Sequence, residues 1–220
     1  MRLSFSDVVS GGLFACALVA VGLMIRRDCG SRGQTGNSSF TAVPVSDWET
    51  LSQIGNRIGA PTPSMTIVEF VDFECPACRL FERDVLGPFL AEHRDKVQLV
   101  VRHWPLNQHP AAMPMAIASE CAADQGAFEQ FYRYAFESAN VPTVEYPGQV
   151  ASLIGIPDTA RFVGCVQSDS VSARIDRDIL AVRSIGGTGT PTIVVDGLKV
   201  TGIPTRYQLD SLFAIHAVNP

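Results

Sequence analysis

Residues 65–78 read MTIVEFVDFECPAC, and this stretch decides the fold. Its first part, Met65–Phe73, is mostly β-branched or aromatic, which predicts a central strand covered on both faces. A Cys-x-x-Cys pair follows at once, and Pro76 occupies the position that proline favours at the start of a helix. The stretch therefore predicts a buried strand that runs directly into a helix with two cysteines at its start.

The neighbouring segments extend this unit. The helix is predicted to continue through residues 79–93, with a bend near Gly87-Pro88, and residues 96–104 (KVQLVVRHW) form a second strand. Strand, helix and strand in this order predict a right-handed βαβ unit with a parallel pair of strands. Before it, Ser46 and Glu49 have the spacing of a capping box, which predicts a short helix.

Residues 108–185 contain no strand signal. Apolar residues at helical spacing, among them Phe128, Phe131 and Tyr132, predict amphipathic helices whose apolar faces pack in the core. The pattern changes after this block, because TIVV and LKV flank a turn pair and predict a tight β-hairpin over residues 192–200, followed by a closing helix. The order βαβ, helical insertion, ββα predicts an α/β fold.

The composition excludes several classes of protein. The 220 residues are 46% hydrophobic and 18% charged, so disordered and fibrous structures are excluded. Lys and Arg number 17 against 22 Asp and Glu, which gives a net charge of −5 without a basic run. Nucleic-acid binding needs a basic surface, so we expect no nucleic-acid partner.

The N-terminal residues predict attachment to a membrane. Residues 8–25 are 18 consecutive uncharged residues, and a helix of this length reaches about 27 Å, close to the hydrocarbon thickness of a bilayer. We expect residues 1–28 to be an uncleaved transmembrane helix, followed by a flexible linker over 29–45 and one domain over 46–220. Two alternatives stay open, a cleaved signal peptide and lipid attachment at Cys16.

The cysteine pair predicts thiol-disulfide exchange. Cys75, at the helix start, faces free backbone amides and the positive end of the helix dipole, which favour a thiolate, so it is predicted to be the nucleophile. Cys78, one turn further and deeper, is predicted to resolve the mixed disulfide formed at Cys75. A zinc site needs two more ligands at a suitable spacing, which the sequence does not offer, so we expect no metal and no other cofactor.

Two acidic residues interrupt the apolar rows of the predicted strand. Glu69 lies on one face and Asp72 on the other. A carboxyl group in this position is desolvated, which raises its pKa, so Glu69 is predicted to exchange protons with Cys78. The alternative is an ordinary ion pair between Glu69 and Lys96.

Pro191 stands at the entry to a predicted strand and is either an edge residue or a cis proline. If it is cis, it lies beside the cysteine pair, and the backbone of Thr190 can pair with an extended substrate peptide. Among the histidines, only His103 ends a predicted strand near the site, and we expect a structural role for it. His109 carries no signal of a particular role.

The remaining cysteines divide into two groups. Cys121 and Cys165 lie on apolar helix faces, where they are either buried free thiols or, in an oxidising compartment, a structural disulfide between two insertion helices. We favour the disulfide. Cys16 and Cys29 are expected to have no redox role.

Three separated segments resemble the DsbA-like branch of the thioredoxin superfamily, which comprises thiol-disulfide oxidoreductases of the bacterial cell envelope. They are VEFVDFECPAC (68–78), VRHWPLNQHPAAMPMAIASECAADQGAFEQFY (101–132) and GGTGTPTIVVDG (186–197). The resemblance covers residues 46–217 and implies a thioredoxin fold with a helical insertion. It also implies that Glu69 is the buried acid of the superfamily and that Pro191 is cis. The substrate-contacting residues that it implies are Thr190, Pro191, Pro76 and Ala77.

The resemblance further implies an enzyme that exchanges a disulfide with exported proteins, whether reduced or wrongly oxidised. A membrane redox partner, either a quinone-linked reoxidase or an electron donor, is expected to return the cysteine pair of the enzyme to its starting redox state. Such chemistry belongs on the oxidising side of the membrane, so we expect a single-pass protein with a periplasmic or extracellular domain. If the signal is cleaved, the protein is instead secreted or lipid-anchored.

Two other functions stay open at this stage. The same residues serve a thiol reductase or disulfide isomerase, and a copper carrier would use Cys75, Cys78 and His103. The dipeptide Pro76-Ala77 lacks the histidine of strongly oxidising family members. We therefore expect a weaker oxidant than DsbA, whose potential is about −120 mV.

Overall fold

The computed structural model describes residues 41–138, 143–168 and 170–218. Within these ranges six strands form one mixed sheet in the order β1-β6-β5-β3-β4-β2. The strands are β1 (Ala42–Pro44), β2 (Asn56–Gly59), β3 (Met65–Val71), β4 (Val97–His103), β5 (Thr192–Val195) and β6 (Leu198–Val200).

Helices precede, follow and separate these strands. They are α1 (Trp48–Gln53), α2 (Pro76–Phe81), a π-helical turn (Glu82–Leu86), α3 (Gly87–Glu92), α4 (Ala112–Ala123), α5 (Phe128–Glu137), α6 (Pro147–Ile154), α7 (Thr159–Val166), α8 (Ser172–Ser184) and α9 (Arg206–Val218). The segments α2, the π-helical turn and α3 follow one another directly, so the bend predicted near Gly87-Pro88 is preceded by a π-helical turn. The helices α4–α8 lie between β4 and β5 and form the helical insertion predicted over residues 108–185.

The strand β3 is central and pairs in parallel with β4, which confirms the predicted βαβ unit. On its other edge β3 pairs antiparallel with β5. Its side chains alternate between two apolar clusters, with Ile67 and Val71 in one and Val68 and Phe70 in the other. Both faces of β3 are therefore covered, as its continuous apolar sequence predicts.

The predicted hairpin is confirmed as β5 and β6. Asp196 and Gly197 join them with φ angles of 42° and 83°, the two positive values that a type I′ turn requires. A Cβ atom on Gly197 would lie 3.0 Å from the Trp48 ring, so glycine is needed here for close packing as well as for the turn.

Two predictions at the N-terminal edge of the sheet differ from the structure. Ala42 pairs with Val200, so the sheet already begins within the predicted linker over 29–45 and ahead of the predicted domain start at residue 46. The capping box is wrong, because the cap residue of α1 is Asp47, in a left-handed conformation and without a side-chain capping bond. A three-residue strand that ends in proline has no alternating pattern by which it can be predicted.

The predicted transmembrane helix, residues 1–28, lies outside the described residues. Among the helices over residues 41–218 that the structure describes, none is long and apolar enough to cross a membrane.

A buried ion pair connects the insertion to the sheet. Arg102 of β4 and Asp178 of α8 are both nearly inaccessible, and Arg102 Nη2 lies 2.7 Å from Asp178 Oδ1. The other carboxylate oxygen of Asp178 accepts a bond from the His103 amide at 2.9 Å. These contacts fix α8 against the strand that neighbours β3, and so position the chain that leads to Pro191.

Candidate active site

The cysteine pair lies where the central strand ends. The strand β3 ends at Val71, and Cys75 is the N-cap residue of α2. The turn between them is closed by the Cys75 amide, which donates to the Asp72 carbonyl at 3.1 Å. Cys75 is 7% exposed and Cys78 is fully buried, and both are free thiols. Of the two cysteines, only Cys75 therefore has solvent-accessible surface.

The two thiols have opposite electrostatics. The hydrogen bond from the Cys78 thiol, supported by the backbone amides of Cys78 and Ala77, lowers the pKa of Cys75 to about 5 against the opposing effect of burial. Burial raises the pKa of Cys78 well above its usual value, and the charge of Glu69 raises it further. At neutral pH the pair therefore holds a thiolate at Cys75 and a protonated thiol at Cys78.

The loop before β5 lies against the reactive sulfur. The Thr190–Pro191 peptide bond is cis, and Cys75 Sγ lies 3.5 Å from the Thr190 carbonyl oxygen. The Thr192 hydroxyl donates to the Gly189 carbonyl at 2.7 Å, which fixes this loop. The structure thus brings Cys75, Thr190 and Pro191 together, as the resemblance implies. Pro76 is exposed and Ala77 half-buried at the same surface.

Glu69 lies in the interior of the sheet, opposite Val101 of β4 and Ile193 of β5. It is inaccessible to solvent, and the Tyr132 hydroxyl donates to its Oε2 at 3.0 Å. Burial raises the pKa of Glu69 to about 8, with a further contribution from the charge of Glu82. Lys96, the alternative partner, lies beside Ser64 at the opposite end of the strand.

Tyr132 has a polar role that its sequence pattern did not indicate. Its ring packs in the core against Phe73 and Phe136, as predicted. Its hydroxyl, however, lies 3.0 Å from Glu69 and 2.9 Å from Glu82 Oε2. A tyrosine in an otherwise apolar helical stripe was the one available signal, since a buried phenol normally has a hydrogen-bond partner.

His109 is a second residue that sequence reasoning missed. Its Nδ1 lies 2.7 Å from Asp72 Oδ2, and the Asp72 carboxylate also accepts bonds from the amides of Glu74 and Leu106. The bond to Asp72 raises the pKa of His109, and the charge of Cys75 adds to this rise. A protonated His109 therefore places positive charge near Cys75, although the dipeptide between the cysteines carries none.

His103 is not brought to the cysteine pair. Its Nε2 lies 2.9 Å from Glu120 Oε1, and its ring packs 5.9 Å from that of Phe73. Within residues 41–138, 143–168 and 170–218, no three His, Cys, Asp or Glu side chains are grouped as metal ligands would be. The contact with Glu120 engages the ring of His103, which a copper carrier would use together with Cys75 and Cys78.

Cys121 and Cys165 are joined by a disulfide with a Cα–Cα distance of 5.8 Å. It connects α4 to α7, the arrangement favoured for these two cysteines. The bond lies in the helical insertion and is separate from the reactive pair.

An apolar groove of about 670 Å³ lies beside Glu74, the residue before Cys75. The α4 side of this groove is lined by Pro110, Pro114 and Ile117. Its far side is lined by Val144 and Val166.

A βαβ unit followed by a ββα unit, with a Cys-x-x-Cys pair at the end of the central strand, defines the chain as a thioredoxin-fold redox protein. The comparisons agree. A thioredoxin family model matches residues 52–213. The crystal structure of Pseudomonas aeruginosa DsbA2 is 30% identical with a TM-score of 0.57, and the match covers 74% of this chain and 94% of that one. The chain therefore belongs to the thioredoxin family, and within it to the DsbA-like disulfide oxidoreductases.

Two curated relatives differ in how much of their length is matched. The probable disulfide bond formation protein D of Bacillus anthracis is 26% identical over 210 residues, which cover 90% of this chain and 91% of that protein. The Na⁺/H⁺ antiporter NhaA of Herminiimonas arsenicoxydans is 33% identical over 150 residues, 68% of this chain. The chain spans only 24% of that antiporter, about a quarter of its length.

Proposed function

We propose that this chain exchanges disulfides with exported proteins through Cys75 as the nucleophile and Cys78 as the resolving thiol. The observation that carries the proposal is the contrast between the two thiols, one 7% exposed with a pKa of about 5 and the other fully buried with a raised pKa. An attack on Cys75 is then sterically open, whereas Cys78 reacts only within the pair.

The favoured direction is donation of a disulfide. A stable Cys75 thiolate stabilises the reduced protein and therefore makes the oxidised protein the stronger oxidant. The same low pKa makes Cys75 a good leaving group when a second substrate thiol attacks the mixed disulfide. Both effects favour an oxidase over a reductase or isomerase that uses the same residues.

Substrates are proposed to bind along the surface formed by Thr190, cis-Pro191 and the apolar groove beside Glu74. The Thr190 backbone pairs with an extended peptide, and the groove accepts apolar side chains. Protein chains that are not yet folded expose both an extended backbone and apolar side chains. The similarity to DsbA2 of Pseudomonas aeruginosa and to the probable disulfide bond formation protein D of Bacillus anthracis supports this proposal.

The location proposed is the outer side of the cell membrane, where disulfides persist. Residues 1–28 supply the anchor in this proposal, and a quinone-linked membrane protein restores the disulfide after each turnover. The uncharged segment over residues 8–25 supports this anchor.

The redox potential tests the proposed direction. The pKa of Cys75, about 5, lies between the values of about 3.5 in DsbA and about 7 in thioredoxin, so we expect a potential between about −120 and −270 mV. Equilibration of the full chain with glutathione buffers measures it. A value at or above −120 mV contradicts the prediction of a weaker oxidant than DsbA.

A matched variant strengthens this test. Ala77→His places a second cation beside Cys75, and a fall of about one unit in the thiolate pKa raises the potential by about 30 mV. An unchanged potential in this variant would show that charge near Cys75 does not set the redox balance.

A further inference from the structure

The loop that follows β4 is fastened to the turn before Cys75. The Asp72 carboxylate accepts the Leu106 amide at 2.9 Å and lies 2.7 Å from Nδ1 of His109. Asp72 also closes the turn, because its carbonyl oxygen accepts the Cys75 amide at 3.1 Å. One buried acid therefore connects the His109 ring to the residue that carries the reactive sulfur.

The hydrogen bonds of Asp72 determine which nitrogen of His109 can exchange a proton. Its Oδ1 accepts the Glu74 amide at 2.8 Å, and its Oδ2 accepts the Leu106 amide, so the carboxylate acts as an acceptor towards each neighbour. Nδ1 of His109 is then the donor to Asp72 in the neutral ring as well as in the cation. The proton that the ring gains or loses is therefore the one at Nε2.

Nε2 of His109 is open to the surroundings. It makes no hydrogen bond within the part of the chain that the structure describes, and it is not a buried atom. The His109 side chain is 19% exposed, whereas that of Asp72 is inaccessible. A buried carboxylate that orients an accessible imidazole is the arrangement that Ser-His-Asp enzymes use for a general base.

The protonation of His109 depends on the oxidation state of Cys75. The hydrogen bond to Asp72 raises the pKa of His109, and the charge of the Cys75 thiolate raises it further. In the oxidised protein Cys75 is part of a disulfide and carries no charge, so this second contribution is absent. The neutral imidazole is therefore more populated in the oxidised protein, which is the form that a substrate thiol attacks.

We propose that His109, oriented by Asp72, is the general base that takes the proton from the attacking substrate thiol and holds it at Nε2 while Cys75 is a thiolate. This inference rests on the proposed exchange of disulfides through Cys75 and Cys78. It names the residue that activates the substrate, whereas Glu69 is proposed to serve the buried thiol of Cys78.

The steps balance in the direction of disulfide donation. The first substrate thiol gives its proton to His109, its sulfur bonds to Cys75, and the electron pair of the broken disulfide moves to Cys78. The second substrate thiol then attacks the mixed disulfide, and the electron pair of that bond moves to Cys75. The substrate loses two electrons and two protons. The cysteine pair gains the electrons, and the protons end on His109 and on the Cys78 thiol.

Two further acids belong to the surroundings of His109. The charge of Glu74 also raises the pKa of His109. Glu145 lines the apolar groove together with Glu74 and Pro110, the residue after His109. Oxidation of Cys75 leaves both carboxyl groups chemically unchanged. A difference in the titration of His109 between the two oxidation states therefore reports the charge of the Cys75 sulfur.

A change of the attacking thiol distinguishes a general base from a packing effect. An alkyl thiol with a pKa near 8.5 is only about 3% ionised at pH 7, so a base can accelerate its attack by at most about 30-fold. We expect His109→Gln to slow the single-turnover attack of glutathione on the oxidised full chain about tenfold at pH 7. Thiophenol is largely ionised at this pH and needs no base, so we expect the variant to react with it at the wild-type rate.

The matched control is His93→Gln. His93 lies before β4, at the end of the strand opposite to His109, and its ring packs against Phe89 and Phe213. We expect this variant to react with both thiols at the wild-type rate.

NMR of the His109 ring follows the proton directly and does not depend on how the variant folds. In the wild-type full chain we expect the pKa of His109 to be higher in the reduced than in the oxidised protein. In Cys75→Ser no thiolate forms at this position, so we expect the pKa of His109 to stay at the lower, oxidised value under reducing conditions.

The role of His109 as a base is overturned if His109→Gln reacts with glutathione at the wild-type rate or is slowed equally with thiophenol. It is also overturned if the pKa of His109 is the same in both oxidation states. None of these results removes the proposed function, because Cys75 and Cys78 are intact in each. A Cys75→Ser variant that still exchanges disulfides would overturn the proposed function instead.

Discussion

The Cys75→Ser variant is expected to lose thiol-disulfide exchange by at least about 10³-fold, to the level of the uncatalysed reaction. A hydroxyl group cannot form the disulfide that the exchange needs, and Cys78 cannot replace Cys75 because it is fully buried and its pKa is raised. Insulin reduction and oxidation of a dithiol peptide both measure the loss.

The control for this experiment is Cys29→Ser, which removes a cysteine outside residues 52–213, the range that the thioredoxin family model matches. We expect it to retain full activity. Retention of activity by Cys75→Ser would mean that another thiol performs the exchange, and the assignment of the nucleophile would be wrong.

The second large effect is expected at Glu69. Burial raises its pKa from 4.5 to about 8, so the folded protein keeps a proton that the unfolded chain releases above pH 4.5. Stability contributed by this group is therefore full below about pH 4.5 and is lost as pH rises towards 8. Glu69→Leu removes this loss, and we expect the variant to be more stable by about 3 kcal/mol at pH 7.

The same substitution is expected to slow the exchange about 10²-fold, because Cys78 loses its proton partner. Denaturant unfolding from pH 4 to 8 measures the stability, and the difference between the variant and the wild-type chain is expected to grow with pH. Glu49→Leu, at an exposed helix position, is the control and should show no such trend. A difference for Glu69→Leu that does not change with pH would contradict the raised pKa.

Strong local patterns account for the parts of the fold that the sequence predicts correctly. The continuous apolar run of β3 indicates a strand covered on both faces, and Asp196-Gly197 permits the type I′ turn between β5 and β6. The short strands β1 and β2 are not predicted from the sequence, since AVP and NRIG have no alternation of apolar and polar residues. They form through pairing with β6 and β4, which are distant in the chain.

A similar division applies to the site. The spacing of Cys75 and Cys78 and the acid in the strand are visible in the sequence because each breaks a local pattern. The hydrogen-bond partners of the acidic residues cannot be predicted from the sequence. Tyr132 reaches Glu69 and Glu82 only because α5 packs across α2, and His109 reaches Asp72 only because the loop after β4 folds back onto the turn before Cys75.

These contacts change how the chemistry of the site is understood. The dipeptide Pro76-Ala77 predicts a weaker oxidant than DsbA, and the structure adds His109 near the Cys75 thiolate. The expected potential lies between those of DsbA and thioredoxin. The balance between a stabilised thiolate at Cys75 and a protonated thiol at Cys78 is the property on which the proposed function depends.

The most direct test of that property is to trap the reaction at its midpoint. In Cys78→Ser the resolving thiol is absent, so a disulfide-containing peptide is expected to remain attached to Cys75. Intact-mass analysis followed by peptide mapping identifies the attachment site. We expect one adduct for each chain, located at Cys75 and released by dithiothreitol. No adduct, or an adduct at another cysteine, would contradict it.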